Sequence, residues 1–168
     1  MINFFKKRPF SRLSWEEYSC LLALAASTRS EDEFTQVGAA LLDRNGNVLG
    51  TGTNGLKKGM EVPEWMSLEE NRIKKSSLMI HAEANLWQRK KEGDGWLLGL
   101  TISPCKSCAQ LIASSSIKKV VFIKEYRHGL QECKDIFDFY KIEYGELSRD
   151  SKEKIKNTLT LKTKEFFN

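Results

Sequence analysis

The chain has 168 residues and a mass of 19.3 kDa, room for one domain, and its 40% hydrophobic residues are enough for an ordinary core. Charged residues make up 29% and are spread along the chain, and 3 prolines and 11 glycines interrupt it, which excludes wholesale disorder and fibrous repeats. No window approaches the roughly 18 apolar residues of a membrane span, and Lys6, Lys7 and Arg8 follow Phe4 and Phe5 instead of preceding an apolar run, so neither a span nor a secretory leader is expected.

The net charge of +5 is carried by the ends. Lys6, Lys7, Arg8 and Arg12 stand in the first twelve residues without an acid among them, and residues 146–168 hold more basic than acidic side chains. The body between them is close to neutral, which argues against a nucleic-acid groove across the main fold, because tracking phosphates needs clustered cations. Residues 1–13 therefore read as a basic arm, 14–147 as the folded domain, and 148–168 as a helical or loose extension.

In chain order, the first element is a helix opening at Ser14, where Ser14 and Glu17 have capping-box spacing and Leu21, Leu22, Ala25 and Ala26 follow at helical intervals. It should end near Thr28. Val37–Leu42 and Val48–Thr53 read as strands around an Asn45-Gly46 hairpin turn, which leaves Asn54 and Gly55 just past a strand end. Residues 56–79 show no clean period and read as an exposed loop with one short helical turn, a length typical of lids and contact segments. From Ile80 the pattern alternates: helix over His81–Lys90, strand over Trp96–Ile102, helix over Cys105–Ser115, strand over Lys119–Ile123, helix over Gln131–Tyr140 and strand around Ile142–Tyr144. Strands alternating with helices after an antiparallel hairpin predict an α/β fold, a three-layer α-β-α arrangement with a mixed sheet of about five strands.

The chemistry concentrates in His81-Ala82-Glu83 and Pro104-Cys105-Lys106-Ser107-Cys108. One imidazole and two thiolates suit zinc, and three protein ligands leave the fourth position of a tetrahedral ion open, as catalysis requires. Residues i and i+2 of a helix face different ways, so His81 and Glu83 can address one point only if it lies off the helix N-terminus. Pro104 ahead of Cys105 makes the same prediction for the second motif. Two thiolates cancel the ion's formal charge and acidify its water less than three imidazoles would, so a base beside the ion is needed. Glu83 is the candidate. Two other readings use the same residues: a structural zinc, for which Cys20, Cys133 or His128 would have to add a fourth ligand, and a thioredoxin-like redox pair, which would leave His81 and Glu83 without a role. Four cysteines and no export signal predict a reducing, cytoplasmic compartment, with Cys20 and Cys133 as small buried residues.

His-x-Glu paired with Pro-Cys-x-x-Cys is the signature of zinc-dependent base deaminases. From about Ser14 to Leu147 the chain resembles the cytidine deaminase superfamily, and within it the deoxycytidylate (dCMP) deaminases. Besides the metal motifs the resemblance rests on Arg29-Ser30-Glu31-Asp32, Thr35-Gln36-Val37-Gly38-Ala39, Gly52-Thr53-Asn54-Gly55, Cys108-Ala109 with Leu111-Ile112, and Ile117–Phe122 leading to Tyr126. The chain departs from the family pattern at Thr53, where tyrosine is usual, and at Leu56-Lys57-Lys58, where a proline is usual; in the family that loop is associated with nucleotide effector control.

The resemblance implies His81, Cys105 and Cys108 as ligands of one catalytic zinc ion and Glu83 as proton shuttle. It implies five substrate-binding residues: Asn54 and Tyr126 at the sugar and ring, Ala82 between the metal ligand and the shuttle, and Thr35 and Arg29 toward the phosphate. The reaction implied is hydrolytic deamination of a cytosine nucleotide, dCMP to dUMP and ammonia, by a homo-oligomer, a dimer or a hexamer. The alternatives are a deaminase of a base in single-stranded nucleic acid or tRNA, or of dCTP or a modified cytosine nucleotide, and a non-catalytic zinc-binding module.

Overall fold

The computed structural model describes residues 12–126 and 130–167. Helix α1 (Trp15–Ser27) opens with the expected capping box: Ser14 Oγ accepts from the Glu17 amide at 3.2 Å, and the Glu17 carboxylate accepts from the Ser14 amide at 2.8 Å. Strands β1 (Gly38–Leu42) and β2 (Val48–Thr53) follow as an antiparallel hairpin whose turn uses Gly46 at φ +82, a left-handed conformation that glycine adopts without steric cost.

Residues 56–79 are mostly exposed, as expected, and hold more regular structure than the one short helical turn read from the sequence. They form two short 3-10 turns, Glu64–Ser67 and Glu69–Asn71, and a seven-residue helix α2 (Arg72–Leu78), packed over a small cluster of Leu56, Met66 and Met79 with Trp65 against it. The apolar residues serve three different short elements, so no single period shows in the sequence. Then come α3 (Ala82–Arg89), β3 (Leu97–Ile102), α4 (Lys106–Ala113), β4 (Lys119–Lys124), α5 (Leu130–Tyr140), β5 (Glu143–Glu146) and α6 (Arg149–Phe167).

The sheet order is β2-β1-β3-β4-β5, with β1 antiparallel to both of its neighbours and β3, β4 and β5 parallel. Alternating residues of the central strands serve opposite layers. Ala39, Leu41, Leu98, Leu100, Val120 and Phe122 meet Leu86 of α3, Ile112 of α4 and Phe137 of α5 on one face. Leu42, Leu97 and Val121 meet Cys20 of α1 and Ile155 of α6 on the other. The fold is thus the expected three-layer α/β arrangement with a mixed five-stranded sheet.

The extension after residue 147 is one 19-residue helix. It is fastened to α1 through buried Ile155 and through Lys154, whose Nζ lies 2.8 Å from the Glu17 carboxylate. Most of the basic arm, residues 1–11, lies outside the described residues, as does His128. Among the described residues no helix is long and apolar enough to cross a membrane.

Two features set the site. A Cβ on Gly52 would fall 2.2 Å from the Ala82 carbonyl oxygen and 2.7 Å from the Leu86 nitrogen, so glycine there lets the first turn of α3 lie directly against β2. Gly55 and Ile80 exchange backbone hydrogen bonds at 3.1 and 2.9 Å, which ties the chain entering α3 to the end of β2 beside Asn54.

Candidate metal centre and active site

His81 and Cys105 are the N-cap residues of α3 and α4, each with extended backbone dihedrals, and neither side chain caps its own helix. Both side chains are therefore left to point off the helix ends, where Glu83 and Cys108 follow one turn in. The ligand atoms of His81, Cys105 and Cys108 all lie within 4.8 Å of one another. The two sulfurs are 3.4 and 3.3 Å from His81 Nδ1, close to the roughly 3.5 Å that tetrahedral zinc with its usual Zn–N and Zn–S bonds would impose. The donor set, one imidazole nitrogen and two thiols at two helix N-termini, fits zinc. The reading with a fourth protein ligand finds no support among the described residues. Cys133 is buried and donates to the Pro104 carbonyl at 3.1 Å, while Cys20 is buried on the opposite face of the sheet.

The protein prepares these groups electrostatically. The Cys105 thiol is pushed down to about 3, because Cys108 and His81 hydrogen-bond its sulfur, with burial opposing. Cys108 is raised by that same hydrogen bond and by burial. His81 is raised by its contact with Cys105. Burial pushes the Glu83 carboxyl up, against the pull of its own backbone amide and of His81. Glu83 is 4% exposed and lies outside the group of three that could hold a metal ion.

A cavity of about 370 Å³, within the range of small-molecule sites, opens over this centre. His81, Ala82, Glu83 and Cys105 line it, and so do Asn54, Thr35 and Tyr126. Arg29 does not: it is exposed just past α1, its amide bonded to the Ala26 carbonyl at 3.0 Å. The side chain of Asn54 is largely committed to the protein. Its Oδ1 accepts from Ser30 Oγ at 2.7 Å and the Val37 amide at 2.8 Å, and its Nδ2 donates to the Thr35 carbonyl at 2.8 Å. Asn54 thus holds the 30–37 loop at the cavity wall, and a second Nδ2 proton is what it can offer a ligand. The Tyr126 amide donates to Ser103 Oγ at 2.7 Å, placing Tyr126 at the mouth beyond β4.

Sequence reasoning missed the other wall, formed by Asp32 and Phe34 and by Arg72, Ile73, Lys75 and Ser76 of α2. Asp32 Oδ1 accepts from Lys75 Nζ at 2.6 Å and from the Phe34 and Thr35 amides at 2.8 and 3.1 Å, with both charged side chains buried. Burial would raise the Asp32 carboxyl, but these three donors outweigh it and hold the group below its ordinary value. A depressed carboxyl contributes stability above the unfolded pKa of about 3.9 and loses it as pH falls through the lower folded value. Asp32→Asn, which orphans buried Lys75, is expected to cost about 3–5 kcal/mol at neutral pH. In urea melts that difference should shrink below about pH 4; a difference independent of pH would show that the pair does not titrate as a unit.

Comparison with known proteins agrees with this geometry. Residues 13–124 match the family model of the cytidine and deoxycytidylate deaminase zinc-binding region. The chain belongs to this family. Human deoxycytidylate deaminase is 33% identical to it over 126 residues, 72% of this chain and 71% of that protein. The deoxycytidylate deaminase of Mycobacterium phage D29 is 35% identical over 127 residues, 68% of this chain and 98% of that one. Among solved structures, the dCMP deaminase of cyanophage S-TIM5 in its apo form has a TM-score of 0.62 at 26% identity, covering 79% of this chain and 96% of that one. The same phage enzyme in complex with dCMP and dUMP has a TM-score of 0.59 at 25% identity, covering 79% and 93%. The matched region takes in the sequence motifs that carry His81, Glu83, Cys105 and Cys108.

Proposed function

We propose that the protein is a zinc-dependent dCMP deaminase, converting dCMP and water to dUMP and ammonia. The observation that carries this reading is the convergence of His81, Cys105 and Cys108 on one point in a cavity that Glu83, itself buried, also lines. The names of the relatives supply the substrate class.

His81 Nδ1 and the sulfurs of Cys105 and Cys108 would hold the zinc ion, which would supply the Lewis acidity that makes water a nucleophile near neutral pH. Glu83 accepts a proton from the attacking water and delivers it to N3 of the cytosine. Glu83 then carries the second proton of that water to the amine at C4, the C4–N bond breaks, and ammonia leaves a C4 carbonyl behind. Burial of Glu83 keeps bulk water from competing for these protons. Asn54, Tyr126 and Ala82 line the cavity, which supports reading them as substrate contacts, Asn54 and Tyr126 at the sugar and ring. The direct test is ammonia release from dCMP by zinc-loaded protein. Folded, zinc-loaded protein that releases none would overturn the assignment.

A homo-oligomer belongs to the same proposal. Ile73 at 86% and Phe139 at 80% exposure are large apolar groups on the surface of one chain, the kind that a subunit contact covers. Light scattering on the eluting peak is expected to give a multiple of 19.3 kDa; a monomer mass at working concentration would rule this out.

A further inference from the structure

We propose that Cys133 is a positioning residue of the metal centre, holding the Pro104–Cys105 peptide so that the Cys105 sulfur meets the ion. This rests on the zinc reading above and adds a residue from α5, apart from the two helices whose first turns carry the ligands. By sequence Cys133 is one more small buried side chain; its place in the fold gives it a task.

The chain reaches Cys105 through Ser103 and Pro104, which join β3 to α4. The residues on either side of Pro104 are held by backbone. The Ser103 amide donates to the Lys124 carbonyl at 2.9 Å, and Ser103 Oγ accepts from the Tyr126 amide at 2.7 Å. The Cys105 carbonyl accepts from the Ala109 amide at 2.8 Å, which opens α4. Pro104 between them has no N–H to give, so its carbonyl is the backbone group by which it can be held. Pro104 is buried, and among the described residues the donor that reaches this carbonyl is the Cys133 thiol at 3.1 Å. A buried carbonyl deprived of its donor is costly, so without Cys133 the peptide would rotate toward another partner. The Pro104–Cys105 peptide is planar and trans, and rotating it moves the Cys105 Cα from which the sulfur hangs.

The thiol suits this role. Burial pushes Cys133 up to about 11, so it stays S–H and can donate. It is 1% exposed and packs in the core cluster with Ile112 of α4 and Phe137 of α5, which makes its helix a firm base. Groups that orient metal ligands from outside set the affinity for the ion by about 10–100-fold.

The test separates a lost donor from lost packing by comparing three variants. Cys133→Ser keeps a donor, Cys133→Val fills the space without one, and Cys133→Ala does neither. Zinc affinity, measured by competition with a chelating indicator, should match wild type in Cys133→Ser and weaken by about 10–100-fold in both Cys133→Val and Cys133→Ala. Cobalt bound in place of zinc gives an independent signature. Its sulfur-to-cobalt charge-transfer bands should be those of wild type in Cys133→Ser and altered in the other two. An affinity that follows side-chain volume, retained in Cys133→Val and weakened alike in Cys133→Ser and Cys133→Ala, makes Cys133 a packing residue and overturns the proposal. Wild-type affinity in all three variants overturns it too. If Cys133→Val does not fold, equal affinities and equal cobalt spectra in Cys133→Ser and Cys133→Ala have the same effect. None of these readouts uses turnover, so they are independent of which nucleotide is the substrate. Wild-type protein that takes up no stoichiometric zinc would overturn the metal centre itself and this role with it.

Discussion

Replacing Glu83 by glutamine is expected to lower kcat for dCMP by about 10²–10⁴-fold while zinc stays bound at one ion per chain. The amide has the size of the carboxyl but can neither take a proton from water nor return one to N3 and the amine. That loss corresponds to about 3–5 kcal/mol of barrier. Stability should not suffer, because Glu83 is almost fully buried and burial already disfavours its charge. Ammonia release, zinc content and a thermal melt on the same preparations separate the cases. Retained turnover would dismiss Glu83 as the proton carrier. Loss of zinc together with turnover would make it a ligand instead.

Removing a ligand should act on both stability and activity. Cys108→Ser is expected to abolish stoichiometric zinc and, with it, measurable turnover, because the hard hydroxyl is a poor substitute for thiolate on this ion. Zinc binds the folded chain, so at a free concentration about a thousandfold above its Kd it adds roughly 4 kcal/mol of apparent stability. For a domain of this size that is about 8–16 °C in Tm. A chelator should lower the melting temperature of wild type by that order and leave the melt of Cys108→Ser where it was. Cys133→Ser is the control: the hydroxyl can still donate to the Pro104 carbonyl, so zinc content should remain at wild type. Full zinc occupancy in Cys108→Ser would remove this sulfur from the centre.

Local sequence was sufficient for much of the architecture because the signals involved are local. The Ser14–Glu17 spacing closes within one helical turn, Asn45-Gly46 closes a hairpin, and the short apolar runs of β1, β3 and β4 read as buried strands. The requirement that His81 sit off a helix N-terminus followed from i, i+2 geometry and that for Cys105 from Pro104 ahead of it, and both proved to be N-caps. Segment 56–79 resisted the same reasoning. Leu56, Met66 and Met79 come from different short pieces of the segment and pack on one another, and Lys75 is buried against distant Asp32, so neither a helical nor a strand period records them.

One wall of the cavity shows the limit most clearly. Arg29 and Thr35 are close in sequence, yet only Thr35 lines the cavity, its amide bonded to Asp32 and its carbonyl to Asn54 from the end of β2. Lys75 and Arg72 read in the sequence as two cations of a charge-rich loop. What makes them wall residues is the hydrogen bond from Lys75 to Asp32, 43 positions away, and the shared ring of Phe34.

The sequence by itself therefore determined the layered α/β class and singled out His81, Cys105 and Cys108, with Glu83, as the candidate metal site. These readings rest on residue types and short spacings in two motifs, each at the start of one helix. Tertiary structure alone decided the strand order β2-β1-β3-β4-β5, the commitment of Asn54 to loop backbone, the exclusion of Arg29 and the entry of Arg72 and Lys75 into the cavity. Those outcomes depend on contacts between residues distant in the chain, whose free energy appears only when the elements are packed together.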